Sequence, residues 1–590
     1  MNITDILKQK SAEALRTLYG LTLTENEVLI NATKPEFEGD YTLVLFSFLK
    51  QLKKTPEQLG NEIGEYLLQH NADFFLSYNV IKGFLNLTIA DDFYTSFLEK
   101  HYNKGIEAAP ASQTLMVEFA SPNTNKPLHL GHLRNIFLGI SIANIAEANH
   151  NKVVRACVVN DRGIHICKSM IAWQKFANEA TPHNEATKGD HFVGDYYVQF
   201  NDAYKKEIEA LKAQGMPEKE AEKEAPIMKE AQQMLLDWEA GKPEVIDLWK
   251  KMNSWVYEGF DVTYKAIGAH FDKVYYESDI YLLGKDLIED GLQKGVFFQK
   301  EDGSVWIDLT DDGLDEKLVQ RKDGTSVYIT QDIALAFLKQ KEYALDENIY
   351  VVGDEQNYHF KVLKLICQKL QMPAADGIYH LSYGMVELPS GKMKSREGTV
   401  VDADDIVEEM KQIARAKTEE LGKVKDFSEE ELNELYSVIG LGALKFFLLR
   451  VDPKKKMIFN PEESIDFHGF TGPFIQYTHA RIKSILRRTA DTELAANTGY
   501  AINPLEKELL VHLEQYGSMV EEALSTFDPS KIAIYIFNLA RIFNTFYGEH
   551  SIANAEKPEE KLFRIKLATL TARVIKDGMQ LLGIDVPERM

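Results

Sequence analysis

The sequence holds only three cysteines in 590 residues, Cys157, Cys167 and Cys367. They are too few and too widely spaced for a disulfide framework or a zinc knuckle, so they read as small buried hydrophobes. No run of eighteen apolar residues occurs, and the N-terminus MNITDILKQK lacks an apolar signal core. Neither a membrane span nor secretion is expected, and the protein reads as cytoplasmic. Positive charge is scarce too: 67 Lys and Arg stand against 90 Asp and Glu, a formal net charge of -23. That argues against sequence-independent coating of nucleic acid, which needs cationic surface that releases counterions. It leaves room for a folded RNA held on local basic stripes, such as Lys454, Lys455 and Lys456, or Arg481, Lys483, Arg487 and Arg488. Each run also suits a solvated helix face. What is present, 45% hydrophobic and 27% charged residues, is a globular composition in a chain too long for one core.

Three units are expected. Residues 1–110 mix helical periodicity (ITDILKQKSAEALRTLYG) with β-rich runs, YTLVLF and GFLNLTIA, and read as a separate α+β domain. Residues 111–410 alternate apolar strands (LMVEFA, VVRACVVND, ENIYVVGDEQ, IYHLSYGMVEL) with helical stretches. This pattern predicts a doubly wound parallel α/β sheet, with ligands bound outside the carboxyl ends of the strands. Between about 178 and 271 a highly charged helical insertion interrupts it and is expected to pack beside the sheet. Residues 411–590 are almost wholly helical and amphipathic, an α-bundle.

Two segments carry chemistry. In EFASPNTNKPLHLGHLRN, residues 118–135, His129 and His132 flank Gly131 where a strand-end loop enters a helix. Backbone there can approach phosphate closely, and imidazole N–H groups with Lys126 can donate to oxygens that gain charge in attack on an α-phosphate. The same pair fits a surface cap or a metal pair. A metal is disfavoured, because no Cys or carboxylate joins the histidines at ligand spacing. LPSGKMKSREGTVV, residues 388–401, is a glycine-flanked loop with Lys392, Lys394, Ser395 and Arg396. Mobile cations of this kind can close over β and γ phosphates. Alone it is only a basic loop; its value lies in pairing with the histidine segment upstream.

Together these segments resemble the His-Ile-Gly-His and Lys-Met-Ser-Lys-Ser signatures of class I aminoacyl-tRNA synthetases. With SPNTNKPLHLGHLRN, DGTSVYITQDIALA, VVGDEQNYHF, YTHARIKSILRR and LLGIDVPERM, residues 115–590 resemble the arginyl-tRNA synthetase family. The resemblance implies a Rossmann-like catalytic domain, a tRNA-touching N-terminal domain and an anticodon-binding C-terminal bundle. It implies ATP-dependent joining of L-arginine to tRNA(Arg) through arginyl-adenylate, with AMP and pyrophosphate released. The expected catalytic groups are Lys126, His129, His132, Lys392, Lys394 and Ser395. ATP would rest on His129, Gly131, His132, His359, Met385 and Lys392, with Mg2+ on the triphosphate and no protein-ligated metal.

Arginine selection has a chemical reason beside the likeness. A guanidinium is planar, always charged and carries five donors, so a selective pocket needs carboxylates in fork geometry. Glu118 and Asp332 are available; the resemblance adds the Tyr328 hydroxyl for the guanidinium, and Ser121, Asn123, His129 and Gln356 for the rest of the amino acid. Without that context Glu118 reads as a strand-end surface carboxylate, and Asp332 as an N-terminal helix cap. For tRNA, Tyr477, Arg481, Phe546 and Tyr547 are candidate platforms, although aromatics at helical spacing also suit a core. One departure from the family pattern matters: Ser395 stands where the second loop lysine belongs. Lys126 or Lys394 would then supply the missing charge. Dependence of the first step on tRNA and a monomeric state are family expectations. The rival readings are another class I synthetase, a non-catalytic RNA-binding paralogue, and a small-molecule nucleotidyltransferase.

Overall fold

The first hundred residues close a sheet of their own. In the computed structural model, which describes all residues except 1–2, 25–26, 35, 109, 282, 326, 388, 390–400, 423–425 and 493–499, four strands form it: β1 (Ile30–Ala32), β2 (Tyr41–Val44), β3 (Phe75–Ile81) and β4 (Phe84–Ile89). They pair antiparallel in the order β1-β2-β4-β3. Leu43, Leu85 and Leu87 point to a face covered by the Ile3–Tyr19 and Pro56–His70 helices, the second opened by a Thr55 capping box.

The central sheet is all-parallel, as the alternating pattern predicts. It comprises β5 (Thr114–Glu118), β6 (Lys152–Val159), β7 (Lys273–Tyr276), β11 (Glu347–Gly353) and β12 (Ile378–Tyr383), in the order β12-β11-β5-β6-β7. The chain steps outward from β5 to β7, then jumps back to β11 on the other side of β5. The crevice at the carboxyl ends of β5 and β11 is therefore the switch point where ligands bind in such sheets. The Leu130–Ala148 helix follows β5 and starts at that crevice. Its apolar side is set down tightly, because Gly139 lets Phe119 come where a Cβ would be 2.2 Å away.

Two features were not legible in the sequence pattern. β7 is only four residues long, and a small antiparallel sheet of β8 (Phe298–Gln299), β9 (Val305–Ile307) and β10 (Lys317–Gln320) precedes the Tyr328–Tyr343 helix. Its buried residues, among them Ile307 and Val319, share a core with Tyr350 of β11 and Ile366 of the Asn357–Lys369 helix. The charged insertion is helical as expected, running through Gly189–Ala213, Pro226–Glu239 and Pro243–Ile267. All three cysteines are buried and free.

The C-terminal part is an α-bundle. Among the described residues one helix, Glu429–Leu449, is long and apolar enough to cross a membrane, but 67% of its most apolar window is buried inside the bundle. The final segment lies along the Gly472–Arg488 helix: Gln476 donates to Asp585 O at 2.8 Å and Arg487 to Glu588 O at 3.0 Å. The N-terminal domain is fastened to this bundle across nearly the whole sequence. Glu514 accepts from Ile3 N at 2.7 Å and from Tyr41 OH at 3.2 Å, Lys507 pairs with Asp40, and Lys566 with Glu99.

Candidate active site

His129 is the N-cap of the Leu130–Ala148 helix, and with His132 it forms a reciprocal capping box. Nδ1 of His129 accepts from Gly131 N at 3.1 Å, and Nδ1 of His132 accepts from His129 N at 3.1 Å. An accepting Nδ1 leaves the proton of a neutral imidazole on Nε2, so both rings present an Nε2–H donor. Burial, then the neighbouring Lys126, pulls His129 down to about 4, with Asp402 opposing; burial likewise holds His132 well below its ordinary value. Both rings are neutral donors at pH 7. Gly131 allows this packing: a Cβ there would stand 3.0 Å from Cε1 of His129.

The backbone leading to this box is strained. Ala120 and Ser121 leave β5 with φ of 77° and 40°, which costs non-glycine residues about 1–3 kcal/mol each. Asn135 holds the turn, its Oδ1 accepting from Ala120 N at 2.6 Å and its Nδ2 donating to Val351 O at 2.6 Å. Thus Asn135 ties β5 to β11 across the crevice. Arg134, fully buried, donates from Nη2 to Pro453 O and Lys455 O at 3.1 and 2.9 Å. Both residues lie inside the quoted HLGHLRN segment. Two polar side chains ahead of IFLGISIA were a usable signal that the sequence reading left unassigned.

A cavity of about 350 Å³ adjoins the box, lined by Lys126, His129, Thr187, His191, Asp195 and Asp402 among others. The insertion helices thus reach the site instead of merely flanking the sheet. Asp402 sits in an isolated bridge with His129, and Leu130 N donates to Val401 O at 3.1 Å. Lys188 binds Asp190 at 3.0 Å and Asp404 at 2.6 Å, while His191 lies 3.1 Å from Asp402. Those carboxylates push His191 up to about 10. His191, Asp402 and Asp404 are close enough together to hold a cation, but the Lys188 ammonium already supplies the positive charge there.

On the other side of β5 lie carboxylates. Glu118 ends the strand and pairs with Lys339; Asp332 accepts from His359 Nε2 at 2.7 Å. Glu277, just beyond β7, belongs to the same group: burial raises its carboxyl, Arg162 opposes, and Asp161 and Asp332 raise it further. Lys339 and Glu277 were not singled out in the sequence, since neither lies in a motif. Asp332 is not a helix cap: the helix begins four residues earlier at Tyr328, with Val327 as its N-cap. His359, an expected ATP contact, is the partner of Asp332 in this structure. Tyr328 is 75% exposed and Gln356 is exposed, so neither is enclosed around a pocket here. Ser121 and Asn123 lie at the β5 exit, where Asn123 bridges Asn160. Met385 is 37% exposed. Lys392, Lys394 and Ser395 lie outside the described residues.

In the bundle, Arg481 stacks 4.8 Å over Tyr477 and donates to Asn544, one turn before Tyr547. Phe546 is different. It is wholly buried, so it is core and not a stacking platform, because its position on the Ser530–Glu549 helix faces inward.

Comparison with known proteins agrees with this layout. Residues 95–460 match the profile "tRNA synthetases class I (R), catalytic domain", residues 475–590 the "DALR anticodon binding domain", and residues 3–89 the "Arginyl tRNA synthetase N terminal domain". The chain is 51% identical to the arginine--tRNA ligase of Bacteroides thetaiotaomicron and 48% to that of Porphyromonas gingivalis, over the full length of each. Among solved structures it is similar to Thermus thermophilus arginyl-tRNA synthetase, with 25% identity, TM-score 0.83 and complete coverage of both chains.

Proposed function

The chain belongs to the arginyl-tRNA synthetase family, and from that premise we propose how its residues divide the work. The reaction is the ATP-dependent charging of tRNA(Arg) with L-arginine through an aminoacyl-adenylate. Arginine carboxylate attacks the α-phosphate and pyrophosphate leaves; the terminal ribose hydroxyl then attacks the acyl carbonyl, and AMP leaves.

The observation that carries the assignment is the pair of neutral imidazoles, each with its proton on Nε2, at the sheet's switch point beside Lys126. His129 and His132 donate to the non-bridging oxygens of the α-phosphate, and Lys126 adds positive charge where Ser395 replaces the loop lysine. Burial lowers the Lys126 ammonium below its ordinary value, and an anionic ligand would restore it. Mg2+ neutralises charge on the triphosphate it arrives with. The groups expected to meet the phosphates are the imidazole N–H donors and the Lys126 ammonium, and the nearby Asp404 carboxylate is already paired with Lys188, so no protein ligand is assigned to Mg2+.

Glu118 and Asp332, with Glu277 near them, receive the guanidinium; Ser121 and Asn123 at the strained strand exit receive the amino and carboxyl end. Tyr477, Arg481 and Tyr547 serve the tRNA in the bundle. The protein acts as a cytoplasmic monomer, and adenylate formation needs tRNA. The test is ATP–pyrophosphate exchange with each amino acid in turn, with and without total tRNA. Exchange driven by arginine alone, and only with tRNA, supports the assignment. Exchange with another amino acid overturns the carboxylate pocket.

A further inference from the structure

Glu118 is 7% exposed at the end of β5, and its Oε2 is ion-paired with Nζ of Lys339, which has no exposure at all. A lysine is almost never fully buried unless paired. This one lies on the Tyr328–Tyr343 helix two turns after Asp332, with the Tyr350 ring 4.5 Å from its ammonium. The other Glu118 oxygen, Oε1, accepts from no group among the described residues. Asp332 is arranged likewise, with one oxygen, Oδ2, given to His359.

We propose that Lys339 is a positioning and specificity-determining residue of the arginine pocket. It fixes Glu118 through Oε2 and leaves Oε1 free for one guanidinium N–H. It also cancels the charge of Glu118, so the positive charge of the substrate is balanced by Asp332 with Glu277, and Glu118 contributes direction more than charge. Without Lys339, Glu118 would be a buried carboxylate with no counter-charge, and nothing would hold its oxygens in one orientation. The inference rests on the reading of Glu118 as an arginine ligand.

The test is a double-mutant cycle with Lys339→Met and Glu118→Gln, reading arginine KM and kcat in tRNA-dependent exchange. Lys339→Met alone is expected to raise arginine KM on the order of tenfold with kcat changed less than about threefold. In the Glu118→Gln background the same change is expected to have no further effect. Should Lys339→Met leave an uncompensated carboxylate that prevents folding, the charge-balanced double variant and Glu118→Gln still form the deciding pair. Equal KM in those two supports the proposal, and a large difference shows that Lys339 acts independently of Glu118 and overturns it. Arginine KM unchanged in Glu118→Gln defeats instead the underlying placement of Glu118 in the pocket, a result distinct from the first.

Discussion

The backbone N–H of His129 donates to Nδ1 of His132 at 3.1 Å, so the helix cap and the Nε2–H tautomer are one arrangement. His129→Asn keeps a capping acceptor but loses the Nε2–H donor. Exchange kcat is expected to fall about 100-fold or more with the thermal midpoint little changed, checked by kinetics beside a melting curve. Because burial holds both rings neutral, with His129 at about 4, these histidines should give no acid limb in the rate between pH 5.5 and 8. Their contribution to stability is present above pH 6.5 and lost as pH falls through the lowered values.

Gly131→Ala separates stability from activity. Alanine favours helix over glycine by up to about 1 kcal/mol, yet its Cβ would press on the His129 ring. An unchanged or raised melting temperature with exchange slowed about tenfold is expected. A full-rate variant would show that ring placement tolerates the shift.

On the proposed assignment, Asp332→Asn removes a charge that meets the guanidinium. Arginine KM should rise roughly 10- to 100-fold, the loss typical of a hydrogen bond between charged groups, while ATP KM stays within a factor of two. Titration of either substrate against exchange rate checks the split.

Lys188→Met strips the counter-charge from Asp190, which is wholly buried, and from Asp404. The variant should melt lower, and by more at pH 8 than at pH 5, because the Asp190 carboxyl, already raised by burial, can protonate in acid. Exchange should slow as well, since Asp402 is bridged to His129.

Glu514 is pushed up to about 7 by burial between the N-terminal domain and the bundle. Its folded value exceeds its unfolded one, so the stability it contributes is complete below about pH 4.5 and is lost as pH rises through 7. Glu514→Gln should remove that slope and stabilise the protein at pH 8 by about 3 kcal/mol, the equivalent of the shift. Chemical denaturation at pH 5 and pH 8 checks it.

Motif residues were legible because phosphate chemistry demands particular groups at one spacing, and His129, Gly131 and His132 meet in the structure as their spacing suggests. The parallel sheet was legible because β5, β6, β11 and β12 are apolar runs set between helices. β7 was not, since four residues give no periodicity, and β8 to β10 are shorter still. Lys339 could not be read at all: only folding shows that a lysine in LAFLKQKEY points inward to a carboxylate 221 positions earlier. Phe546 shows the opposite error, an aromatic whose role depends on which helix face turns inward. Lys188 and His191 were hidden in a stretch whose composition says only charged helix.

The fastening of Ile3 to Glu514 spans 511 positions. At synthesis rates of roughly 5–20 residues per second, the first domain leaves the ribosome some 20 to 80 s before its docking partner is made. During that interval its Tyr41 and Asp40 face must remain in water with no bundle to meet, so the domain has to hold its own fold or be guarded. The chain's order of manufacture therefore makes the four-stranded N-terminal sheet a requirement of assembly.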